Sequence, residues 1–204
     1  MTGHRPDRTL PLAGTLRAEV PAITSLRTRA LYEHWLARSG TALLPHRSAI
    51  TPGAISGLLP RTCGLCRRPD GSFLWRLVGY ELVDFFGRDL TAAPFDPGSR
   101  PRHDRRFLSV YTAVSSHPCG AVVCCRARAR GLHVTLEILA LPMLDDAGQS
   151  TEILLHLEPL DLGRLEFRHL YDIVEMRIEA VDFFDIGAGR PSGQLTWALS
   201  TLAC

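Results

Sequence analysis

Six cysteines are the residues of this chain whose type and spacing most invite a chemical role. Cys63 and Cys66 form a Cys-x-x-Cys pair, and Cys119, Cys124 and Cys125 follow. A four-thiolate zinc or iron–sulfur site needs a second Cys-x-x-Cys knuckle, which the later cysteines do not supply. We therefore interpret the thiols as small buried hydrophobes and expect no metal site. A redox-active Cys63/Cys66 pair is also disfavoured, because a strand lacks the helix N-terminus that lowers a thiol pKa.

Other residue types exclude several classes of enzyme. All 23 basic residues are arginine, so Schiff-base, pyridoxal-phosphate and Walker-type phosphate chemistry lack the lysine they need. In Gly53–Gly57 the serine stands one position later than in the Gly-x-Ser-x-Gly nucleophile elbow of hydrolases. No His-Glu-x-x-His zinc motif occurs. Because no acid–base or nucleophilic set is visible, we expect a protein without enzymatic activity.

Charge is distributed unevenly along the chain. Residues 1–130 carry 19 arginines and 9 acids, a net charge of +10, whereas residues 131–204 carry 4 arginines and 12 acids, a net charge of −8. We favour internal pairing of the two halves within one fold over docking of two separate domains. The basic stretches Arg100–Arg106 and Arg126–Arg130 leave open an alternative function as a nucleic-acid-binding regulator. We expect the second stretch to form a solvated or dimer-forming face near acids such as Glu137.

The pattern of apolar residues predicts the elements that would position any site. Helical spacing predicts two long helices and one short helix ended by Gly87, over residues 23–39, 103–116 and 81–86. A Pro-Asp-Gly turn between two β-compatible runs predicts a hairpin of residues 62–68 and 73–79. Strand-like runs separated by turn residues predict three more strands, over residues 120–130, 132–144 and 151–160. A further helix is predicted over 165–176 and a strand over 178–184.

This order of elements is that of an α+β fold with antiparallel hairpins and helices gathered on one face of the sheet. Together with local motifs, it resembles a PAS domain, and most closely the standalone proteobacterial PAS family. The motifs are Trp35-Leu36 on the first helix, Phe73–Gly79 on the second strand and Phe86–Thr91 after it. Ala92 stands where the family usually has glycine. The resemblance covers residues 28–160.

The resemblance implies a five-stranded antiparallel sheet in the order 2-1-5-4-3, with helices cupped over one face. We divide the chain into a flexible arm (residues 1–22), a PAS-like domain that includes the N-terminal helix (residues 23–160) and a C-terminal extension of unknown role (residues 161–204). The extension is too short for a transmitter or DNA-binding segment, so we expect the output to pass to a partner signalling protein.

In function, the resemblance implies a non-enzymatic sensory or adaptor module for signal transduction. Such a module is a homodimer and binds a small-molecule ligand, a partner protein or both. No apolar run is long enough to span a bilayer, and the first residues lack the apolar core of a signal peptide. We therefore expect a cytoplasmic protein that does not contact a membrane.

PAS domains bind small ligands in the cup between the helices and the sheet, so we map the candidate ligand site onto this cup. Its residues are Trp75, Arg76, Phe86, Phe107, Val110, Tyr111, Val123 and Cys125. Alternate residues of the 120–130 strand are uniformly small and predict either a close helix or a cavity beneath Phe107 and Tyr111. The alternative is that Leu136, Ile138 and Leu155 from neighbouring strands fill the space.

Arg76 allows two interpretations. If Leu74 and Val78 point inward, Arg76 enters the cup and binds an anionic ligand through its planar guanidinium. Otherwise Arg76 forms an ion pair with an acidic residue of a loop, such as Asp89, and holds that loop in place.

The cofactor stays undetermined at this point. A haem-binding PAS domain carries its axial histidine inside the long helix, whereas His103 and His117 flank that helix here. Flavin photochemistry needs a cysteine where this chain has Leu90.

Overall fold

The computed structural model describes residues 21–99, 101–129, 132–162 and 170–191. The helices in these ranges are α1 (Leu26–Ser39), α2 (Tyr80–Phe86) and α3 (Arg106–Ser116). The strands are β1 (Thr62–Arg67), β2 (Phe73–Val78), β3 (Arg102–His103), β4 (Gly120–Ala129), β5 (Leu132–Met143), β6 (Glu152–Pro159) and β7 (Glu175–Phe184). Three 3₁₀ turns, at Arg47–Ala49, Pro52–Ile55 and Leu59–Arg61, connect α1 to β1.

Most of the elements predicted from the sequence occur where the apolar pattern places them. The helix predicted over 165–176 is wrong in its described part, because residues 170–174 are irregular and Glu175 begins β7. Backbone pairing with distant segments overrides the local helical pattern here. The Val174 amide donates to the Arg128 carbonyl, and the Val174 carbonyl accepts the Arg102 amide. Residues 165–169 of that helix and residues 1–20 of the predicted arm lie outside the described part of the chain.

A single mixed sheet organises the described chain. Its strands lie in the order β2-β1-β6-β5-β4-β7-β3. The first five of these strands are antiparallel neighbours in the order that the resemblance implies. The expectation of a five-stranded antiparallel sheet needs correction, however, because β7 pairs with β4 and the short β3 pairs parallel to β7. Residues 175–184 of the predicted extension thus join the sheet.

The two faces of the sheet bury different helices. On β4, Ala121, Val123 and Cys125 point toward α2 and α3 and belong to the larger hydrophobic core. Val122 points the other way, into a second core that contains Trp35 of α1. The period of two along a strand produces this division. Helices α2 and α3 therefore share one face, as predicted, whereas α1 covers the opposite face.

Polar anchors hold α1 on the outer face, the side opposite α2 and α3. Its N-cap Ser25 accepts hydrogen bonds from two amides of the first turn. The buried carboxylate of Glu137 on β5 accepts the backbone amides of Thr24 at 2.6 Å and Ser25 at 3.1 Å. Farther along α1, Trp35 Nε1 donates to the Pro142 carbonyl at 3.0 Å. The helix is thus tied to β5 near its start and along its length.

Strand β7 also supports α1, through an aromatic ring that only a glycine on the neighbouring strand can accommodate. Gly120 on β4 lies directly opposite Phe184 on β7. A Cβ at Gly120 would lie 2.0 Å from the Phe184 ring, which is closer than atoms can approach. The same ring packs edge-on against Tyr32 of α1 at a centroid distance of 5.6 Å. Gly120 therefore lets Phe184 reach the helix.

Candidate functional site

Seven of the eight predicted ligand-binding residues lie together in the cup. They belong to one hydrophobic core and are 0–4% exposed: Trp75, Phe86, Phe107, Val110, Tyr111, Val123 and Cys125. Helices α2 and α3 place Phe86, Phe107, Val110 and Tyr111, and the inward faces of β2 and β4 place the others. The structure thus brings these seven side chains together, and their role in binding a ligand stays a prediction.

Side chains of the protein itself fill this cup. Leu136, Ile138 and Leu155 from β5 and β6 are buried in the same core. Phe95 closes the side near β2, where its amide bonds to Phe73 O at 2.8 Å, and its ring lies 5.3 Å from that of Tyr111. The pocket described below lies outside the cup. Of the two alternatives drawn from the sequence, the packed cup agrees with the structure.

His103 is a residue of the cup that sequence reasoning placed only beside the long helix. Its imidazole is buried among aromatic rings, with centroids 5.0 Å from Phe95 and 5.8 Å from Phe107. Burial lowers its pKa from 6.5 to about 4, although a hydrogen bond to the Pro101 carbonyl acts in the opposite direction. Within the described part of the chain, Nδ1 has no hydrogen-bond partner. Only the pairing of β3 with β7 brings His103 here, so no local pattern could have identified it.

The two cysteines of the Cys-x-x-Cys pair lie on opposite faces of the sheet. Cys63 belongs to the core that fills the cup, whereas Cys66 lies on the outer face and is only partly buried. Three residues along a strand span about 10 Å, which exceeds the Cα separation of a disulfide. Burial raises the pKa of Cys119 to about 12 and also raises the pKa values of Cys63 and Cys125. Among the described residues, no three metal-binding side chains come together.

A β-bulge decides the position of Arg76. Leu65 of β1 faces Trp75 and Gly64 faces Leu77, so Arg76 is the extra residue of β2. Trp75 consequently points into the cup, while Arg76 and Leu77 both lie on the outer face. The expectation that Arg76 lines the cup therefore needs correction.

The acid partner expected for Arg76 also needs correction. Nη1 of Arg76 lies 3.5 Å from Oε1 of Glu152, which is on β6. Asp89, the acid expected from the sequence, accepts the Thr91 amide at 2.8 Å.

A buried polar cluster on the outer face has the residue types of a hydrolytic triad. His156 Nδ1 lies 3.1 Å from Thr62 Oγ1, and its Nε2 lies 3.5 Å from Glu158 Oε2. Thr62 is fully buried, however, and its hydroxyl donates to the Leu58 carbonyl at 2.8 Å. Arg61 bonds to Glu158 at 2.7 Å, which connects the cluster to the last 3₁₀ turn. Because the hydroxyl already donates to a backbone carbonyl and Arg61 pairs with the carboxylate, these contacts favour a structural role for the cluster.

Three of the seven arginines in the arginine-rich stretches pair with neighbouring acids. Arg126 and Arg128 pair with Glu179 and Glu175 across the β4–β7 ladder, at 3.0 and 3.5 Å. Arg106 bonds to Asp104 at 2.6 Å. Paired guanidinium groups offer less charge to a phosphate backbone, so these contacts do not favour the alternative function in nucleic-acid binding. The acids come from β7 and the α3 boundary, rather than from Glu137 as expected.

No helix in the described ranges is both long and apolar enough to cross a bilayer.

Comparison with known proteins identifies the family. Neither the curated proteins nor the solved structures gave a match. A family model described as a PAS domain matches residues 23–157, about two-thirds of the chain, and confirms the resemblance drawn from the sequence. PAS domains are generally non-enzymatic sensory modules. The chain therefore belongs to the PAS domain family.

Proposed function

We propose that this PAS domain is an adaptor in signal transduction, which acts through contacts with a partner signalling protein and with a second copy of itself. The packing of the cup is the observation that carries the proposal. A ligand there would have to displace side chains such as Phe95 and Tyr111, whose burial each stabilises the fold by about 2 kcal/mol. Protein contacts are the remaining means of signalling that the family offers.

The outward side of α1 is the contact surface that we propose for the homodimer. Leu31 and Trp35 of this helix face the sheet, whereas Leu26 and Leu36 are exposed. Apolar side chains that face water on a helix lose that exposure when two copies associate. Because α1 is tied to β5 through Glu137, a change in the sheet would also reach this surface.

Native mass spectrometry of the purified protein, beside a denatured control, tests the proposal. We expect a dimer with no ligand bound in the cup, because side chains of the protein itself occupy the cup. Two results would overturn the proposal. One is a copurified ligand that shows nuclear Overhauser contacts with the methyl groups of Val110 and Val123. The other is a monomer at all concentrations up to the millimolar range.

Substitution of Leu36 by aspartate tests the contact surface itself. We expect Leu36→Asp to raise the dimer dissociation constant at least about tenfold, since burying an unpaired carboxylate costs more than 1.4 kcal/mol. Leu132→Asp is the matched control, because Leu132 and Leu36 are both 41% exposed but Leu132 lies on β5. Sedimentation equilibrium gives both constants. Equal dissociation constants for the two variants would show that α1 is not the interface.

A further inference from the structure

A pocket of about 220 Å³ lies on the outer face of the sheet. Its floor consists of outward-facing residues of β1, β2 and β6, together with the end of β5. Its roof is the segment of 3₁₀ turns between α1 and β1, which contributes Ile50, Pro52 and Ile55. Leu154 and Met143 on the floor make the interior mainly apolar. The pocket therefore lies between the sheet and the connection that leads from α1.

Two local features of the hairpin create the space. Gly64 presents no side chain to the floor, and a Cβ there would meet only Ile153 O at 3.9 Å and Leu77 Cβ at 4.0 Å. The bulge in β2 places Arg76 beside Leu77 on the same face, where a regular strand would turn one of them inward. The pocket thus has an open floor next to a guanidinium group.

The charged residues of the lining favour an anionic ligand. Arg76 and Arg47 contribute two guanidinium groups, of which Arg47 pairs with Asp146 at 2.5 Å, whereas Glu152 is the single carboxylate of the lining. The Glu152 side chain is only 3% exposed, and burial raises its pKa, although the nearby guanidinium groups of Arg76 and Arg47 act in the opposite direction. The 3.5 Å separation between Arg76 and Glu152 is long for a charge-assisted hydrogen bond. The Arg76 guanidinium also interacts with the Cys66 thiol, but its five N–H groups leave donors for a second carboxylate.

We propose that this pocket binds a small amphipathic carboxylate. The carboxylate pairs with the planar fork of Arg76, and the apolar body lies between Leu154 and the roof residue Ile55. A cavity of about 150 Å³ can hold benzene, so the volume here suits a ligand of about ten non-hydrogen atoms. The occupant would contact the segment that follows α1, whether or not α1 forms the dimer contact proposed above.

Titration of the wild-type protein with octanoate, followed by methyl NMR, tests this assignment. We expect saturable shifts of the Ile55, Leu154 and Met143 methyl groups, with Val110 and Val123 in the cup unchanged. Octylamine and 1-octanol, which have the same apolar chain, should bind at least tenfold more weakly because they cannot pair with a guanidinium. Shifts confined to the cup, no saturable shifts, or equal affinity for the amine would overturn the proposal.

Substitutions in the lining give an independent test. Gly64→Leu should fill the floor and abolish octanoate binding, while Arg76→Gln should weaken it about tenfold and leave 1-octanol binding unchanged. Arg68→Gln is the matched control, since Arg68 is an exposed arginine of the same hairpin. If Gly64→Leu fails to fold, the octanoate affinities of Arg76→Gln and Arg68→Gln still show whether Arg76 binds the carboxylate. Equal octanoate affinities of these two variants would exclude Arg76 as the binding group. Either outcome leaves the oligomeric state of the protein unaffected, so failure of this proposal can be distinguished from failure of the proposed function.

Discussion

Replacement of Glu137 by alanine should lower the free energy of unfolding by about 3 kcal/mol and release the start of α1. Glu137 is 2% exposed and accepts the amides of Thr24 and Ser25 at 2.6 and 3.1 Å. A hydrogen bond to a charged acceptor contributes about 1.5–3 kcal/mol when it is shielded from water. The alanine variant loses two such bonds and leaves both amides without an acceptor, so the loss is large for a single substitution.

Urea denaturation and hydrogen exchange measure the two consequences separately. The matched control is Glu175→Ala, because Glu175 forms an exposed ion pair with Arg128 at 3.5 Å, and such pairs contribute less than about 1 kcal/mol. Glu137→Gln should have an intermediate effect, since its amide keeps one acceptor oxygen. Amides of the first turn of α1 should exchange faster in Glu137→Ala only. Equal stability losses in Glu137→Ala and Glu175→Ala would contradict the proposed anchoring of α1.

Acidification should destabilise the fold through His103. The folded protein holds the pKa of this imidazole at about 4, against 6.5 without burial. Between these two pH values the unfolded chain binds a proton that the folded state does not bind. The free energy of unfolding is therefore fully retained above pH 6.5, falls as the pH drops toward 4 and then levels off. The full loss is about 3 kcal/mol.

The pH dependence of His103→Phe, compared with that of the wild-type protein, isolates this contribution. Phenylalanine suits the surrounding rings of Phe95 and Phe107 and has no group that takes up a proton. The free energy of unfolding of the variant should therefore decline less between pH 7 and 4 than that of the wild type. The difference between the two stability curves removes the contribution of carboxylates common to both proteins. His133→Gln is the control, because His133 is exposed on β5. Parallel curves for His103→Phe and the wild type would rule out His103 as the acid-sensitive group.

The sequence alone determined the elements of the PAS core and most of the side chains that face its cup. Helical spacing on α3 aligned Phe107, Val110 and Tyr111, and the alternation of β4 aligned Val123 and Cys125. Both patterns repeat within a few neighbouring residues, so they can be recognised without knowledge of the rest of the fold. The motif around Phe86 added the family resemblance that the matched family model confirms.

Only the tertiary structure decided how these elements meet and what space they leave. The register of β1 against β2 produced the bulge that placed Arg76 outside the cup and beside the outer pocket. Pairing with β4 extended the predicted strand 178–184 back to residue 175 and placed it in the sheet, and pairing of β3 with β7 brought His103 into the aromatic core. Whether the cup is open or filled depends on Phe95 and other large side chains contributed by separate segments. Register and packing volume arise from contacts between residues far apart in the chain, and no local pattern of residue types specifies them.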